Sequence, residues 1–333
     1  MVAVGSGLGG QFGVVAESSY GAGGTAVKFP EIRSTDLKKV KNTVQGGGLA
    51  AGRPAQLGAR RKVTTTAAAG GVTMEVTNKL MGLFFQALMG GTVAPVQQGA
   101  TAAYLQTHPL TVDSAGKSLC MQVGVPLTDA TTAAMTYKGC KITAIEFTCD
   151  RDGELMANLT VDARELDEVQ ALAVHASTSG VIPLPWNISA LKLGTFGSEV
   201  QVDSVNSISI KIERSMKVDR FYVGNGGKKS EPITNDWVQV TGTINADFGA
   251  KATFADRFSA DTPTSLVWEF IGPLIASTFY ETFRIKVPMI FLNGDTPTLD
   301  GQDVVSTAFP FVAQLDGTNP LATIEYISTD STL

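Results

Sequence analysis

Ile142-Thr-Ala-Ile-Glu-Phe-Thr-Cys149, then Asp150-Arg-Asp-Gly-Glu154, then Leu155-Met-Ala-Asn-Leu-Thr-Val-Asp162, is the stretch that decides the fold class. Ile145, Phe147 and Cys149 alternate with Ala144, Glu146 and Thr148. Beyond the turn, Leu155, Ala157, Leu159 and Val161 alternate with Met156, Asn158, Thr160 and Asp162. Side chains of a strand point to opposite faces in turn, so each run buries one face and wets the other. The Asp152-Gly153 pair between them supplies the backbone freedom that a tight reversal needs. The segment therefore reads as a β-hairpin.

Working outward, the same period recurs. Ile208, Ile210 and Ile212 alternate with Ser207, Ser209, Lys211 and Glu213. Val238 and Val240, then Ile244, Ala246 and Phe248, alternate with Gln239, Thr241, Asn245 and Asp247, and Phe283, Ile285, Val287 and Met289 alternate with Thr282, Arg284 and Lys286. Helical spacing is rare. Asn78 is placed to cap a helix carrying Leu80, Phe84 and Leu88, with Gly90 ending it. Ala250 to Phe258 and Arg164 to Val174 are further helix candidates, the latter with a stripe of Leu166, Val169 and Ala173. The chain is expected to be mainly β, with a helix against each sheet.

The order of elements looks duplicated. Met74-Glu75-Val76 lies opposite Ile244-Asn245-Ala246 at an offset of 170, as do Phe84 with Phe254 and Leu88 with Phe258. Phe147 is matched to Phe311 at 164 and Leu159 to Ile324 at 165, which makes residues 311–324 a second hairpin. The expected organisation is an N-terminal arm (1–30), a β domain (31–165), a connector (166–190) and a second β domain (191–333). Two long Gly-rich basic loops fall at equivalent places. The first, Lys41 to Lys62, carries Gln45, Gly47, Arg53, Arg60 and Arg61; the second, Arg214 to Asn235, carries Arg220, Tyr222, Lys228 and Lys229. Each exceeds the roughly 12–15 residues beyond which a structureless loop in a compact domain is unusual. Both are expected to act as flexible arms that order against a neighbouring subunit.

Composition narrows the function. Of 333 residues, 44% are hydrophobic and only 17% charged, below the ~25% charged residues of an ordinary soluble domain. That balance suits a chain hiding much of its surface against further copies. A formal net charge of -5 gives no global basic field for nucleic acid. Lys38-Lys39 and Arg60-Arg61-Lys62 lack the interleaved aromatics of single-strand binders, so they read as interface charge. No apolar run is long enough for a membrane helix, and the first residues lack the basic and apolar regions of a signal peptide. Cys120, Cys140 and Cys149 form no Cys-x-x-Cys pair, which points to a reducing compartment without a disulfide framework.

Catalytic chemistry finds no support. The only histidines are His108, read as a solvated loop residue before Pro109, and His175 in the connector. Neither sits in a nucleophile motif. Gly5-Ser-Gly-Leu-Gly-Gly10 has the spacing of a dinucleotide loop but lacks the preceding strand and following helix. Asp150, Asp152 and Glu154 read as a hairpin turn, since the twelve-residue calcium loop is missing. No cofactor or metal is expected. Trp186, Trp237 and Trp268 are dispersed, which disfavours a carbohydrate-binding platform.

Several segments together resemble phage tail tube (major tail) proteins of long-tailed actinobacterial phages. They are Ser6 to Gly13, Asn42 to Ala50, Met74 to Lys79, Lys211 to Arg214, Ile275 to Phe283, and Asn293 to Gly301 through Gln314 to Leu321. The resemblance implies a β-sandwich or β-barrel core with a flanking helix, here in two tandem modules. It also implies self-assembly into stacked rings around a channel, with long loops bridging subunits. Implied partners are a tape-measure protein, tail terminator and baseplate proteins, and genomic DNA sliding through without sequence-specific binding. A virion tail location, after synthesis in the host cytoplasm and without a membrane anchor, goes with this. Two modules per chain favour a trimeric ring with pseudo-sixfold symmetry over a hexamer. Another virion role, as terminator, baseplate hub or decoration protein, is the alternative reading.

Overall fold

The computed structural model describes residues 5–49, 51–129, 131–247, 251–294 and 305–333. The first part of the chain forms β1 (Gln11–Ala16), β2 (Ser34–Thr35), β3 (Lys38–Gln45), β4 (Arg61–Glu75), α1 (Gly82–Met89), β5 (Val96–Gln97), β6 (Tyr104–Pro109), β7 (Leu119–Pro126), β8 (Thr132–Asp150), β9 (Met156–Ala163) and β10 (Glu165–Asp167). The second forms β11 (Ser189–Gly194), β12 (Val200–Gln201), β13 (Val205–Glu213), β14 (Met216–Lys217), β15 (Ile233–Thr234), β16 (Gln239–Asp247), α2 (Ala255–Ser259), β17 (Thr264–Ala276), β18 (Phe279–Leu292), β19 (Ser306–Ala313) and β20 (Thr323–Ser328).

The decisive hairpin is β8–β9, with Ile145 opposite Leu159 and Phe147 opposite Ala157. Its turn closes with Gly153 N donating to the Asp150 carbonyl at 3.0 Å, and Asp152 takes the left-handed conformation, φ 66°. Ile145, Phe147, Cys149, Ala157, Leu159 and Val161 are all buried, as alternation requires.

The pairing pattern of the first part recurs in the second. β1 pairs β7, β7 pairs the first half of β8, and β10 lies on the other side of that half. Likewise β11 pairs β17, β17 pairs β18, and β20 flanks β18. β3-β4-β9-β8 is matched by β13-β16-β19-β18. The two four-strand groups meet where Ala144–Asp150 of β8 pairs antiparallel with Ser207–Glu213 of β13, giving one continuous layer ordered β3-β4-β9-β8-β13-β16-β19. β8 reaches both layers by changing partner, from Leu119 opposite Cys140 to Asp162 opposite Lys141. Gly139 sits at that bend with φ 64°, and a Cβ there would meet Arg164 and Tyr20.

The layers form a sandwich with no closed barrel among the described residues. Phe147 from one layer lies 5.4 Å (ring centroids) from Phe283 of the other. Phe85 of α1 joins them at 6.2 and 5.5 Å and meets Tyr326 edge-on. One hydrophobic core runs through both parts of the chain, and β6 of the first pairs β20 of the second. Phe254, just before α2, stacks on Phe309 at 4.7 Å.

Six expectations are corrected. Residues 311–324 are not a hairpin: β19 pairs β16 and β18, β20 pairs β18 and β6, so the partner of β8–β9 is β18–β19. Arg164–Val174 is not a helix. Leu166 pairs opposite Tyr137, and the Asp167 carboxylate then accepts from the Val169 and Gln170 amides, a turn that competes with helix formation. Asn78 does not cap α1, which begins after Met81; its side chain instead bonds Gly180, Ile182 and Glu281. His108 is no solvated loop residue but fully buried on β6, 3.2 Å from the Gln106 side chain. The loop Arg214–Asn235 is not a free arm but is held against its own chain, as set out below. Of the helix expected from Ala250 only Ala255–Ser259 is helical, and Ala250 itself and Phe248 lie outside the described residues.

Candidate assembly surfaces

Two surfaces result from this topology, a sheet face and a pair of loops. The outward face of the continuous layer carries Thr73, Asn158, Thr160, Thr148, Ser207, Ser209, Thr243 and Asn245, because these alternate with the buried residues of β4, β9, β8, β13 and β16. Its charges are Glu75, Glu146, Asp150, Glu213 and Asp247 against Lys38 and Lys211. A shallow depression of about 630 Å³ lies on it, lined by Asp36, Glu146, Asn158 and Lys211 among others. The layer ends at β3, all but the last residue of which is exposed, and which pairs only with β4.

The sequence-selected loop residues divide into two groups. On the β3–β4 hairpin, Lys41, Gly47, Arg53, Arg60, Arg61 and Lys62 are exposed. Gln45 donates to the Leu57 carbonyl at 2.8 Å and Arg60 to the Gly48 carbonyl at 2.9 Å, so the hairpin end is folded on itself and faces solvent.

The equivalent loop between β13 and β16 is an intrachain latch. Arg214, 1% exposed, donates to the carbonyls of Leu88, Met89, Thr111 and Val112, tying β13 to the C-terminus of α1. A cation there also opposes the negative end of the helix dipole. Burial pushes its guanidinium down to about 10, against the pull of Asp113, so it stays charged at neutral pH. Farther along, the Gly227 carbonyl accepts from Thr66 N at 2.9 Å, Lys228 pairs Glu165, and buried Lys229 pairs Asp162. Burial raises the Asp162 carboxyl despite the lysine, because desolvation outweighs the attraction. Lys141, wholly buried, meets Glu231 at 2.9 Å and is pulled down by burial. Arg220 donates to the Glu231 carbonyl, and its guanidinium lies 5.7 Å from the Tyr222 ring centroid. Arg214, Lys141, Asp162 and Glu231 were missed as partners, and no local sequence pattern marks them, since Arg214 directly follows Glu213 and Lys229 lies two residues from Glu231 without pairing with either.

Reactive groups are not gathered anywhere. Cys120, Cys140 and Cys149 are buried free thiols, and burial pushes Cys120 to about 11 and Cys149 to about 12. Burial takes His108 down to about 4, so it is neutral near pH 7. Among the described residues no cluster of His, Cys, Asp and Glu could hold a metal. Among the described residues no helix is long and apolar enough to cross a membrane.

A β-sandwich with a polar sheet face, an edge strand paired on one side and one exposed basic hairpin gathers no reactive groups among the described residues and has the architecture of a structural subunit. A family model described as phage tail tube protein matches residues 7–313, and the chain belongs to that family. No curated protein matches it. Membership carries with it a structural role in the virion tail, in a tube built by self-assembly alongside other tail proteins.

Proposed function

We propose that the chain is a duplicated tail tube module, and that three copies close into a ring of six modules that stacks into a DNA-conducting tube. The observation that carries this is the β8–β13 junction. Within one chain, the edge of one four-strand group is already joined to the edge of the next over Ala144–Asp150. Repeating that junction between chains would use the free edge of β3, the counterpart of β13, and bring it to the C-terminal end of β18, the counterpart of β8. Ring closure removes the exposed edges that an open sheet would otherwise present.

In this arrangement the polar face of the continuous layer lines the channel. Small hydroxyl and amide side chains with a slight acidic excess offer DNA no cationic ladder to grip, which favours sliding. A tape-measure protein would occupy the same channel during assembly, with terminator and baseplate proteins at its ends. Ring faces are heterologous, so stacking continues until capped.

Native mass measurement and electron microscopy of concentrated protein test the reading. A trimeric ring has three times 34.9 kDa, about 105 kDa, and should appear with sixfold-like outline and in stacks. A hexamer of about 209 kDa, six times 34.9 kDa, would overturn the trimer, and particles that stop at one ring would favour a terminator.

A further inference from the structure

An apolar groove stands open where the segment after β6, Leu110 to Asp113, meets the second part of the chain. It has a volume of about 760 Å³ and is lined by Val112, Ile233, Trp237, Leu315, Pro320 and Leu321. Trp237 is 82% exposed and Leu315 63%. A tryptophan left in water beside several aliphatic residues marks an interaction surface more than an ordinary monomer surface. Asp113 and Asp236 lie in the same groove, and Asp316 follows Leu315.

The internal repeat says what belongs there. In the first part, Ala68 of β4 lies opposite Ala163, the last residue of β9, and the β13–β16 latch sits beside this pair through Thr66, Asp162 and Glu165. In the second part, Thr241 opposes Val312, and following that register outward sets Val238 opposite Leu315. Met74 and Ile244 fill equivalent buried places, 170 apart, so Ala68 corresponds to Val238 and Thr66 to Asp236. The groove thus occupies the position where the first part receives its latch. The second part has no latch from its own chain, because the hairpin equivalent to the latch, β3–β4, lies at the far end of the layer.

We infer that the groove around Trp237 and Leu315 receives the β3–β4 hairpin end of a second copy of this chain, seated as the β13–β16 latch is seated on the first part. The hairpin has the complementary chemistry. Val44 and Leu57 are exposed apolar residues, and Arg60, Arg61 and Lys62 face the acidic rim of Asp113, Asp236 and Asp316. The offset of 170 sets Leu57 where Gly227 meets Thr66, and Ala59 where Lys229 meets Asp162, whose own counterpart is Gln314. This rests on the tube reading above and adds to it the seat of one particular contact between copies.

The test uses two full-length variants, Ala59→Cys and Gln314→Cys, both at exposed positions, mixed and co-assembled, then treated with a short bis-maleimide. The native thiols are buried. Within one chain β4 and β19 stand five strand spacings apart, roughly 24 Å at ~4.8 Å each, and in the mixture each chain carries one new thiol. A covalent dimer therefore reports contact between copies. Dimer is expected as the main product, reduced at least tenfold when the Gln314→Cys chain also carries Trp237→Ala. Rings or tubes in the micrograph with no more dimer than an Ala59→Cys and Val169→Cys control mixture would overturn the inference and leave the tube reading standing. A sample that neither assembles nor cross-links overturns both.

Discussion

Replacing Arg214 by methionine should loosen the fold at the place where its two parts are clamped. The guanidinium serves four carbonyls, but their dependence on it differs. Met89 keeps the Thr111 amide at 2.9 Å and hydroxyl at 3.0 Å, and Val112 is 88% exposed, so water can replace the lost donor. The Leu88 and Thr111 carbonyls have no other donor among the described residues. Each such buried orphan costs about 1–3 kcal/mol, or roughly 2–6 together. Relief of the desolvation that pulls the guanidinium down to about 10 offsets part of this. A net loss of about 3 kcal/mol is expected, a large share of the ~5–15 kcal/mol that holds a domain folded. Urea unfolding of the dispersed subunit, followed by fluorescence of buried Trp268, measures it at unchanged m-value. Arg53→Met, on the exposed hairpin, is the control and should stay within about 0.5 kcal/mol. A loss at Arg214 no larger than the control's would refute the clamp.

Acid should weaken the fold through His108. Its folded pKa, about 4, lies below the ~6.5 of an unfolded histidine, so between those values the unfolded chain binds the extra proton. Its contribution is complete above pH 6.5 and lost as pH falls toward 4, about 2 kcal/mol by pH 5 on the linkage relation; a His108→Gln chain with the same pH slope would refute this. Lys229→Ala should cost about 3–5 kcal/mol, because Asp162 is left buried and unpaired, and should open the β13–β16 loop to protease; an intact loop would count against the latch. Deleting residues 44–58 should leave a folded subunit that makes no long tubes in electron micrographs, and normal tubes would remove the hairpin from assembly. Finally, Ser209→Pro in β13, paired on both sides, should unfold the chain. Val40→Pro and Lys41→Pro should differ, since adjacent amides on an edge strand alternate inward and outward: one of the two keeps its circular dichroism yet fails to form rings. Ring formation by both would exclude β3 as an assembly edge.

Local signals were legible and distant pairings were not. The β8–β9 hairpin could be read because alternation and an Asp-Gly turn lie within one short stretch. β18–β19 could not, because a long connection separates them, while β19 and β20 lie close in sequence and look like a hairpin without pairing. His108 was hidden because Gln106 and His108 put polar side chains on the inward face of β6, which erases the apolar alternation that marks a strand. The connector helix failed on one residue, Asp167, whose carboxylate turns the chain before a helical turn can form. Glycine and lysine made the β13–β16 loop look like a mobile arm. Its order comes from partners 67 and 90 residues away, Asp162 for Lys229 and Lys141 for Glu231, which no local pattern announces.

The two loops show how one sequence design acquires two roles. Both hang between equivalent pairs of strands, β3–β4 and β13–β16, and both are basic. The β13–β16 loop meets its acceptor within the chain, so its lysines can be buried and its carbonyls paired as the subunit folds. For the β3–β4 hairpin the corresponding acceptor is at the other end of the layer, beyond reach, and its cations remain in water. Covalent linkage makes the first encounter intramolecular, at high effective concentration; in the docking proposed above, the second waits for another chain. That ordering separates folding from polymerisation. On the proposed assembly, the subunit completes its core before its open edge meets a neighbour, and interactions of the kind that hold one chain together are repeated between successive chains.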